Sequence, residues 1–475
     1  MIPSSLNSVQ DALKPLIDRF EEQGFRLYLV GGVVRDALLG QPLEETYDID
    51  LTTDARPDQI VATAGRLLKE VNLAGERYGT VAGSCANLSL EITTHRAEVY
   101  VAESRKPDVR FSTSIEEDLA RRDFTINAMA VEITGERPRL IDPFGGRNDL
   151  ESGKLRTPLS PEISFAEDPL RMLRAARFIT RLGLQPQKGL LDAVRTAAGR
   201  LSVVSSERIR DEFDRLLCLP DPSAGLWFIV NTGLANQFLP ELPALAVEQD
   251  PVHRHKDVLA HTIAVVKNCS PTRRLRLAAL LHDIGKPATR LITPEGVQFH
   301  FHDAVGAKMA RKRLEKMRYP KELVSEVATL VALHLRFHSY AQGWSDSAVR
   351  RYVRDAGHLY DDLNELTLCD ATTRNENKLK TMHMRMGEFK ARVRELQERD
   401  DLAKRRPPLS GDEVMALLEI GPSRAVGDAL EMLSELELEN GTVTKEEATT
   451  ALLSWWSSYS PDSKSTRTGR PRRNP

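Results

Sequence analysis

Apolar residues near the start of the chain follow two spacings, and each spacing predicts a different element. Between residues 5 and 25 they recur every three or four positions, which predicts a helix with one buried side. An apolar run at Leu27–Val30 predicts a strand that stops at Gly31 and Gly32. The next residues, VVRDALLG, predict a short helix that Gly40 ends. The predicted order is therefore strand, glycine turn, helix.

Two further predicted strands carry acidic residues. In the strand at residues 47–51, Asp48 and Asp50 are two positions apart, so both project from one face. Residues 89–94 alternate apolar and polar positions, which places Glu91 on the polar face of a neighbouring strand. After about residue 146 the spacing becomes almost entirely helical up to about residue 455. The fold class that this pattern predicts is α+β, a small mixed-sheet head followed by helices.

One predicted helix, after Phe165, has two chemically different faces. On a helical wheel its arginines fall within an arc of roughly 120°, and apolar side chains occupy much of the remainder. The arginines of this basic face are Arg171, Arg174, Arg177 and Arg181. A basic face is most often a solvated surface, so the arginines alone assign no function.

Length and composition narrow the class of protein. The 475 residues predict two to four domains, and 41% hydrophobic with 28% charged residues is typical of globular chains. No apolar run approaches the length of about 18 residues that a membrane span needs, and the first residues lack the features of a signal peptide. The four cysteines are far apart, which disfavours a disulfide framework and fits a cytoplasmic location. Because the net charge is −2, any contact with nucleic acid must come from local clusters.

The glycine turn and the paired aspartates together predict phosphate chemistry. Backbone N–H groups at Gly31 and Gly32 favour anions, no Cβ obstructs a triphosphate there, and Arg35 adds a charged fork. Asp48 and Asp50 repel each other unless Mg²⁺ lies between them and a polyphosphate. We expect the third carboxylate of such a site to be that of Glu91. Each motif alone is usually a turn or a solvated face, so the prediction depends on their combination.

This combination resembles the active-site signature of the polymerase β-like nucleotidyltransferases. The string RRDFTINAMA further resembles the second motif of the class II tRNA nucleotidyltransferase and bacterial poly(A) polymerase family. The resemblance implies that the triphosphate and ribose of an incoming CTP or ATP are contacted by Arg121, Arg122 and Asp123, with Asn127 in a supporting role. The later string EDPLR resembles the motif with which this family reads the base. It implies base contacts from Asp168 and Arg171, with Glu167 and Arg174 orienting them.

Nine of the 11 histidines lie between residues 250 and 380, in a pattern that resembles the HD superfamily of metal-dependent phosphohydrolases. The adjacent His282 and Asp283 form the diagnostic element. The resemblance implies one divalent metal held by His261, His282, Asp283 and Asp370, and a second near His302 and His334. Imidazole and carboxylate ligands suit Mn²⁺, Ni²⁺, Co²⁺, Fe or Mg²⁺ alike.

The resemblance covers nearly the whole chain and implies a domain order. The expected domains are a nucleotidyltransferase head at 1–145, a helical neck and body at 146–250, an HD domain at 251–380, a tRNA-contacting helical tail at 381–456 and a disordered basic tail at 457–475. The implied activity is template-independent addition of CCA to the 3′ end of tRNA, with hydrolysis of phosphate esters at RNA ends by the HD domain. The oligomeric state is left open by these patterns.

Three alternatives stay open. In the first alternative, which stays within the same class of enzyme, the chain is a bacterial poly(A) polymerase or an enzyme that adds only C or only A. From another class, PII uridylyltransferases also place a nucleotidyltransferase before an HD domain but act on a protein. In the third alternative, hydrolysis is the main activity and the head only binds RNA.

Overall fold

The computed structural model describes residues 3–42, 48–73, 75, 79–99, 108–247, 257–294, 296–372, 375–400, 408–440 and 443–459. Tyr47, which the sequence places in a strand, and residues 460–475 of the expected basic tail lie outside this set. By density of contacts the chain divides into two compact units. The first comprises Met1–Arg276 with Lys312–Lys321, and the second comprises Leu277–Arg311 with Glu322–Pro475.

A mixed sheet of seven strands lies at the start of the first unit. Its order is β3-β4-β5-β2-β1-β8-β9; β2 and β5 run parallel, and the other neighbouring pairs run antiparallel. The strands of this sheet are β1 (Leu27–Val30), β2 (Asp48–Thr53), β3 (Lys69–Asn72), β4 (Thr80–Cys85), β5 (Leu88–Thr94), β8 (Ala130–Glu132) and β9 (Arg139–Ile141). Elsewhere the described residues form three two-stranded pairs: β6 (Arg96–Val99) with β7 (Asp108–Phe111) and β10 (Lys154–Leu155) with β11 (Gln185–Pro186) in the first unit, and β12 (Arg290–Thr293) with β13 (Gly296–Phe299) in the second.

Helices make up most of the remaining described chain. Those that lie wholly in the first unit are α1 (Asn7–Glu22), α2 (Gly32–Leu38), α3 (Pro57–Ala64), α4 (Ile115–Ala120), α5 (Gly146–Glu151), α6 (Pro161–Glu167), α7 (Leu170–Leu182), α8 (Leu190–Ala197), α9 (Ser206–Leu217), α10 (Ser223–Asn231), α11 (Ala235–Phe238) and α12 (Val258–Asn268). Those that follow are α13 (Arg273–Leu281), α14 (Lys286–Thr289), α15 (His302–Lys316), α16 (Lys321–Leu333), α17 (Asp346–Ala356), α18 (Tyr360–Asp370), α19 (Glu376–Asp400), α20 (Gly411–Leu418), α21 (Arg424–Asn440) and α22 (Lys445–Ser458).

The α+β prediction is confirmed, with local differences. β1 has the predicted bounds, and all four of its residues are buried because the strand lies between β2 and β8. The β12–β13 hairpin and the β10–β11 pair interrupt the part of the chain that the pattern predicted to be almost entirely helical. None of the helices in the described ranges is both long and apolar enough to cross a bilayer.

Candidate functional site

The turn between β1 and α2 brings three groups close together. Gly31 has φ 73° and ψ −129°, a backbone conformation that strongly favours glycine. A Cβ placed on Gly31 would lie 3.3 Å from Nη1 of Arg122 and 3.4 Å from Oδ2 of Asp50. The missing side chain therefore leaves the space in which the predicted phosphate-binding turn, an arginine and an acid meet.

Three carboxylates gather on adjacent strands. Asp48 and Asp50 are exposed on β2 while Ile49 between them is buried, and Glu91 of β5 is the direct partner of Asp50 in the parallel ladder. Desolvation by the surrounding protein raises the pKa of Asp50. The positive charge of Arg122 opposes this rise, and the negative charge of Asp48 adds to it. The pKa of Glu91 is raised by desolvation, by Asp50 and by Asp48. Clustered oxygens with raised pKa values are a donor set that fits Mg²⁺.

The RRDFTIN segment follows α4, which ends at Ala120, and its residues Thr125–Asn127 form a short 3₁₀ helix. Arg121 and Arg122 both donate to the buried carboxylate of Asp118, with shortest distances of 2.9 and 3.1 Å. Asp123 accepts from Arg174 of α7 at 2.6 Å and from the side-chain amide of Asn127 at 2.9 Å. The segment is thereby joined to the arginine helix.

Arg35 belongs to the same set of contacts. It is 3% exposed, it donates to both carboxylate oxygens of Asp36 at 2.7 and 2.9 Å, and its Nη1 donates to Asn127 at 2.6 Å. Arg35 lines a cavity at this site, but most of its N–H donors are already bound to Asp36 and Asn127. Contact with phosphate, as predicted for Arg35, therefore depends on the donors that remain.

The EDPLR segment connects α6 to α7. Arg171 donates to Glu167 and to the hydroxyl of Ser164, each at 2.9 Å, and also to the backbone carbonyl of Arg121. Asp168 accepts from Arg208 of α9 at 2.9 Å. Glu167 thus orients Arg171, as the resemblance implies, whereas Arg174 contacts Asp123 rather than either expected base-reading residue.

A single cavity of about 670 Å³ collects most of the predicted site. Its lining residues include the predicted Gly31, Gly32, Arg35, Asp48, Asp50, Arg121, Arg122, Asp123, Asn127, Asp168, Arg171 and Arg174. It also includes Arg177, Phe178, Arg181 and Arg215, which were not selected as site residues. The first three continue the face of α7 that starts at Arg171, so helical spacing could have found them; nothing in the sequence distinguishes Arg215. With eight arginines, the cavity is suited to a polyanion.

Phe178 gives the cavity one aromatic wall. The guanidinium of Arg177 lies 4.5 Å from its ring centroid, and those of Arg35 and Arg174 lie 5.3 and 5.8 Å away. Arg177 also forms a buried pair with Glu212 of α9. Stacking on the ring and pairing with acids reduce the mutual repulsion of the arginines.

A second group of chemically active side chains lies in the second unit. His282, His302 and His334 each hydrogen-bond through Nδ1 to the backbone carbonyl three residues earlier, at 2.7 to 2.8 Å. Their Nε2 atoms lie 3.2, 3.4 and 4.0 Å from the carboxylate of Asp283. Nε2 of His282 is also 3.4 Å from Asp370. Imidazoles that are anchored through one nitrogen and converge through the other are arranged as metal ligands.

The charge of this cluster also fits a cation. Burial lowers the pKa of His282, but the carboxylates of Asp283 and Asp370 outweigh burial and raise it to about 10. Asp283, His302 and His334 are all buried, and their potential ligand atoms lie within 4.8 Å of one another. His338, which lies in the short 3₁₀ helix Arg336–Gln342 after α16, was not selected from the sequence, and its Nε2 lies 3.5 Å from Asp370. Of the two remaining expected ligands, Asp370 joins the cluster through its contact with His282. His261 lies on α12 of the first unit and stays a prediction.

The sheet, the glycine turn and the three carboxylates define a nucleotidyltransferase head. Residues 27–156 match the poly A polymerase head domain, 183–245 match the family described as a probable RNA- and SrmB-binding site of polymerase A, and 258–375 match the HD domain. An A-adding tRNA nucleotidyltransferase of Deinococcus radiodurans is 35% identical over 92% of this chain and 96% of its own. A CC-adding tRNA nucleotidyltransferase of Thermus thermophilus is 33% identical over 90% and 93%. The chain belongs to the tRNA nucleotidyltransferase family, with an HD domain.

Solved structures agree with this fold. The Bacillus stearothermophilus CCA-adding enzyme in complex with CTP aligns with 96% of this chain and 98% of its own, with a TM-score of 0.65 and 23% identity. The Thermotoga maritima CCA-adding enzyme complexed with tRNA aligns with 94% and 95%, with a TM-score of 0.57 and 20% identity. At such identities the likeness concerns the fold alone. The resemblance inferred from the sequence motifs is confirmed.

Proposed function

We propose that this chain adds CCA to the 3′ end of tRNA, using CTP and ATP and releasing pyrophosphate, in the cytoplasm. The observation that carries the proposal is the single cavity in which the Gly31 turn, two strand aspartates and the arginine face of α7 meet. A cavity of this volume fits a nucleotide, and its arginines match a triphosphate. Relatives that span nine-tenths or more of this chain are named for adding A or CC to tRNA.

The proposed reaction is an in-line displacement at phosphorus. The oxygen of the tRNA 3′-hydroxyl forms a bond to the α-phosphorus, the bond from that phosphorus to the oxygen of pyrophosphate breaks, and the hydroxyl proton passes to water. Asp48, Asp50 and Glu91 would hold Mg²⁺, which supplies charge neutralisation and activates the hydroxyl when it is bound. Arg122 and the other cavity arginines would bind the phosphates and orient the leaving group.

Base choice is proposed to depend on Asp168 and Arg171. Cytosine and adenine each present an amine beside a ring nitrogen that accepts, whereas uracil and guanine present the opposite order. A carboxylate that accepts from the amine and a guanidinium that donates to the ring nitrogen would therefore accept both correct bases. To bind a base in this way, Asp168 must release its contact with Arg208. Arg171 must likewise release its hydrogen bond to Ser164 or to Glu167.

The decisive experiment incubates the protein with labelled CTP, ATP and tRNA that lacks its 3′ end, followed by sequencing of the product. CCA addition gives three defined nucleotides, and UTP or GTP gives no incorporation. A homopolymeric A tail identifies a poly(A) polymerase instead. No incorporation under any nucleotide combination contradicts the proposal.

Partial addition is a second candidate. The Deinococcus radiodurans and Thermus thermophilus relatives, which match nine-tenths or more of this chain, are an A-adding and a CC-adding enzyme. The same assay separates the three cases when it is run on tRNA without CCA and on tRNA that ends in CC. A CC-adding enzyme stops after two nucleotides on the first substrate. An A-adding enzyme extends only the second.

The second unit is proposed to bind a divalent metal and to hydrolyse 2′,3′-cyclic phosphates or phosphomonoesters at RNA ends. The converging Nε2 atoms of His282, His302 and His334 support this, and a bound metal would supply a hydroxide for attack on phosphorus. Metal analysis of the purified protein, followed by chelation and addition of Mn²⁺, Ni²⁺, Co²⁺ or Mg²⁺ one at a time, identifies the metal. If none of these metals restores the hydrolysis of 2′,3′-cyclic AMP, this assignment is wrong.

A further inference from the structure

Asp118 is a buried acid that lies behind the cavity wall. It belongs to α4, its exposed fraction is 0%, and it is not among the residues that line the cavity. Oδ1 accepts from Nε and Nη2 of Arg121 at 3.2 and 2.9 Å, and Oδ2 accepts from Nε and Nη2 of Arg122 at 3.3 and 3.1 Å. One carboxylate thus holds two adjacent cavity arginines, one on each oxygen.

These contacts determine which edge of Arg122 reaches the cavity. Because Nε and Nη2 are bound to Asp118, Nη1 is the nitrogen directed at the glycine turn, 3.3 Å from the position of a Cβ on Gly31. Oδ2 of Asp50 lies 3.4 Å from the same position. Without Asp118, the guanidinium of Arg122 could rotate about its side chain and pair with the acids of β2.

The carboxylate of Asp118 is suited to a permanent role. Burial alone would raise its pKa, but the guanidiniums of Arg121 and Arg122 outweigh burial and hold the pKa well below its ordinary value. Asp118 is therefore ionised throughout the neutral range, and its contacts do not change with pH there. Two fork-like contacts to one ionised acid give a rigid arrangement.

We propose that Asp118 is a positioning residue for nucleotide binding, which sets Arg121 and Arg122 side by side and aims Nη1 of Arg122 at the turn where the triphosphate binds. The proposal rests on the proposed nucleotide addition. Asp36 holds Arg35 and Arg181 in a similar way, but Arg35 has a further partner in Asn127. Asp118 differs from Asp36 in that it holds Arg122, whose Nη1 is directed at the glycine turn.

The test compares Asp118→Asn with Asp149→Asn. Asp149 is also buried and also pairs with an arginine, Arg156, but neither residue lines the cavity. Asp118→Asn should raise the KM for CTP and ATP by about tenfold or more, equivalent to about 1.4 kcal/mol, with a smaller change in kcat. Asp149→Asn should leave KM within about twofold, since neither Asp149 nor its partners Arg156 and Thr125 line the cavity. An equal rise in KM in both variants overturns the proposal.

A double-mutant cycle shows whether Asp118 acts through Arg122. If it does, Asp118→Asn has little further effect on KM in an Arg122→Ala background. The same fold-change in both backgrounds overturns the proposal. Should Asp118→Asn fail to fold, Arg122→Lys replaces it: lysine keeps the charge but cannot make the two-nitrogen contact with Asp118. An unchanged KM in Arg122→Lys then counts against positioning.

Wild-type protein separates this proposal from the function on which it rests. If wild-type protein adds no nucleotide to tRNA, the proposed function fails. If it adds nucleotides while Asp118→Asn has the wild-type KM, only the role of Asp118 fails.

Discussion

Gly31 shows how one missing side chain shapes the nucleotide cavity. Gly31→Ala would strain a turn at φ 73° and place a methyl group between Arg122 and Asp50. We expect at least a tenfold rise in the KM for CTP and ATP. Gly40→Ala is the matched control, since Gly40 has φ 69° but no atom within 4 Å of its Cβ position. Both variants should lose about 1 to 2 kcal/mol of stability, measured by urea unfolding, and an equal KM in both would contradict the role of the turn.

Asp123 links stability to pH. Burial would raise the pKa of Asp123, but Arg174 and Asn127 outweigh burial and lower it to about 2. A carboxyl whose pKa is lower in the folded state stabilises the fold above its unfolded pKa of about 3.9, and this stabilisation is lost as the pH falls towards the folded value. The contribution is about 2 to 3 kcal/mol at neutral pH.

Asp123→Asn should therefore destabilise the protein most at pH 7, by about 3 kcal/mol, because it leaves the partly buried Arg174 without its charge partner. The difference from wild type should shrink by about 2 kcal/mol as the pH falls from 5 to 2. Urea unfolding at a series of pH values measures it. Asp192→Asn, which removes an exposed pair with Arg195, should change stability by less than about 0.5 kcal/mol at every pH. A constant difference across the range would contradict the assigned pKa.

At the scale of elements, local patterns predicted those features of the site that a single strand or helix determines. The bounds of β1, the shared face of Asp48 and Asp50, and the arginine face of α7 all follow from periodicity within one element. The alternation of apolar and polar residues correctly assigned Glu91 to the polar face of a neighbouring strand. The position of Glu91 directly beside Asp50 depends on the register between β2 and β5, which the sequence pattern does not give. The catalytic role of Glu91 stays a prediction.

Features that need two distant elements were not predicted. Asp36 pairs with Arg181 and Glu212 pairs with Arg177 across distant parts of the chain, yet in the sequence each is one acid among 68 acidic residues. Asp118 was also missed, although it lies only three and four positions before Arg121 and Arg122, a spacing at which helical side chains meet. Arg215 reaches the cavity only because α9 packs beside α7. The β12–β13 hairpin is stabilised by pairing between two short strands that carry no strong alternation. Such partners are set by tertiary packing, which periodicity does not encode.

The contact between the turn after α13 and the start of α15 offers a prediction at this scale. A Cβ on Gly285 would lie 2.2 Å from the backbone carbonyl of His302 and 2.8 Å from the backbone nitrogen of Gly306. Backbone cannot move aside as a flexible side chain can, so Gly285→Ala should displace α15 and His302. We expect a loss of about 1 to 3 kcal/mol in stability and a marked fall in bound metal, measured by elemental analysis.

Gly387→Ala is the control for this variant. Gly387 lies within α19 with no atom within 4 Å of its Cβ position, so alanine there should stabilise the helix by about 0.5 to 1 kcal/mol. Its metal content should equal that of wild type. Wild-type metal content in Gly285→Ala would show that this close packing does not position His302.

At the scale of the whole molecule, the two groups of active side chains belong to different compact units. The cavity residues all lie within Met1–Arg276, and His282, Asp283, His302, His334 and Asp370 all lie in the second unit. The net charge of −2 does not indicate the basic cavity, because its eight arginines are offset by acidic residues elsewhere in the chain. Two sites with separate ligands predict two activities that can be removed one at a time.

Asp50→Ala should abolish nucleotide addition, a loss of at least a thousandfold, and leave hydrolysis of 2′,3′-cyclic AMP unchanged. Asp283→Ala should do the reverse, since Asp283 faces three imidazoles while Asp50 faces the glycine turn. Both activities are measured on the same preparations, with metal content and circular dichroism to establish folding. Because the ligand sets share no residue, each variant serves as the matched control for the other. If a folded variant of either kind loses both activities, the two chemistries share a site or depend on each other, and the division of function between the units is wrong.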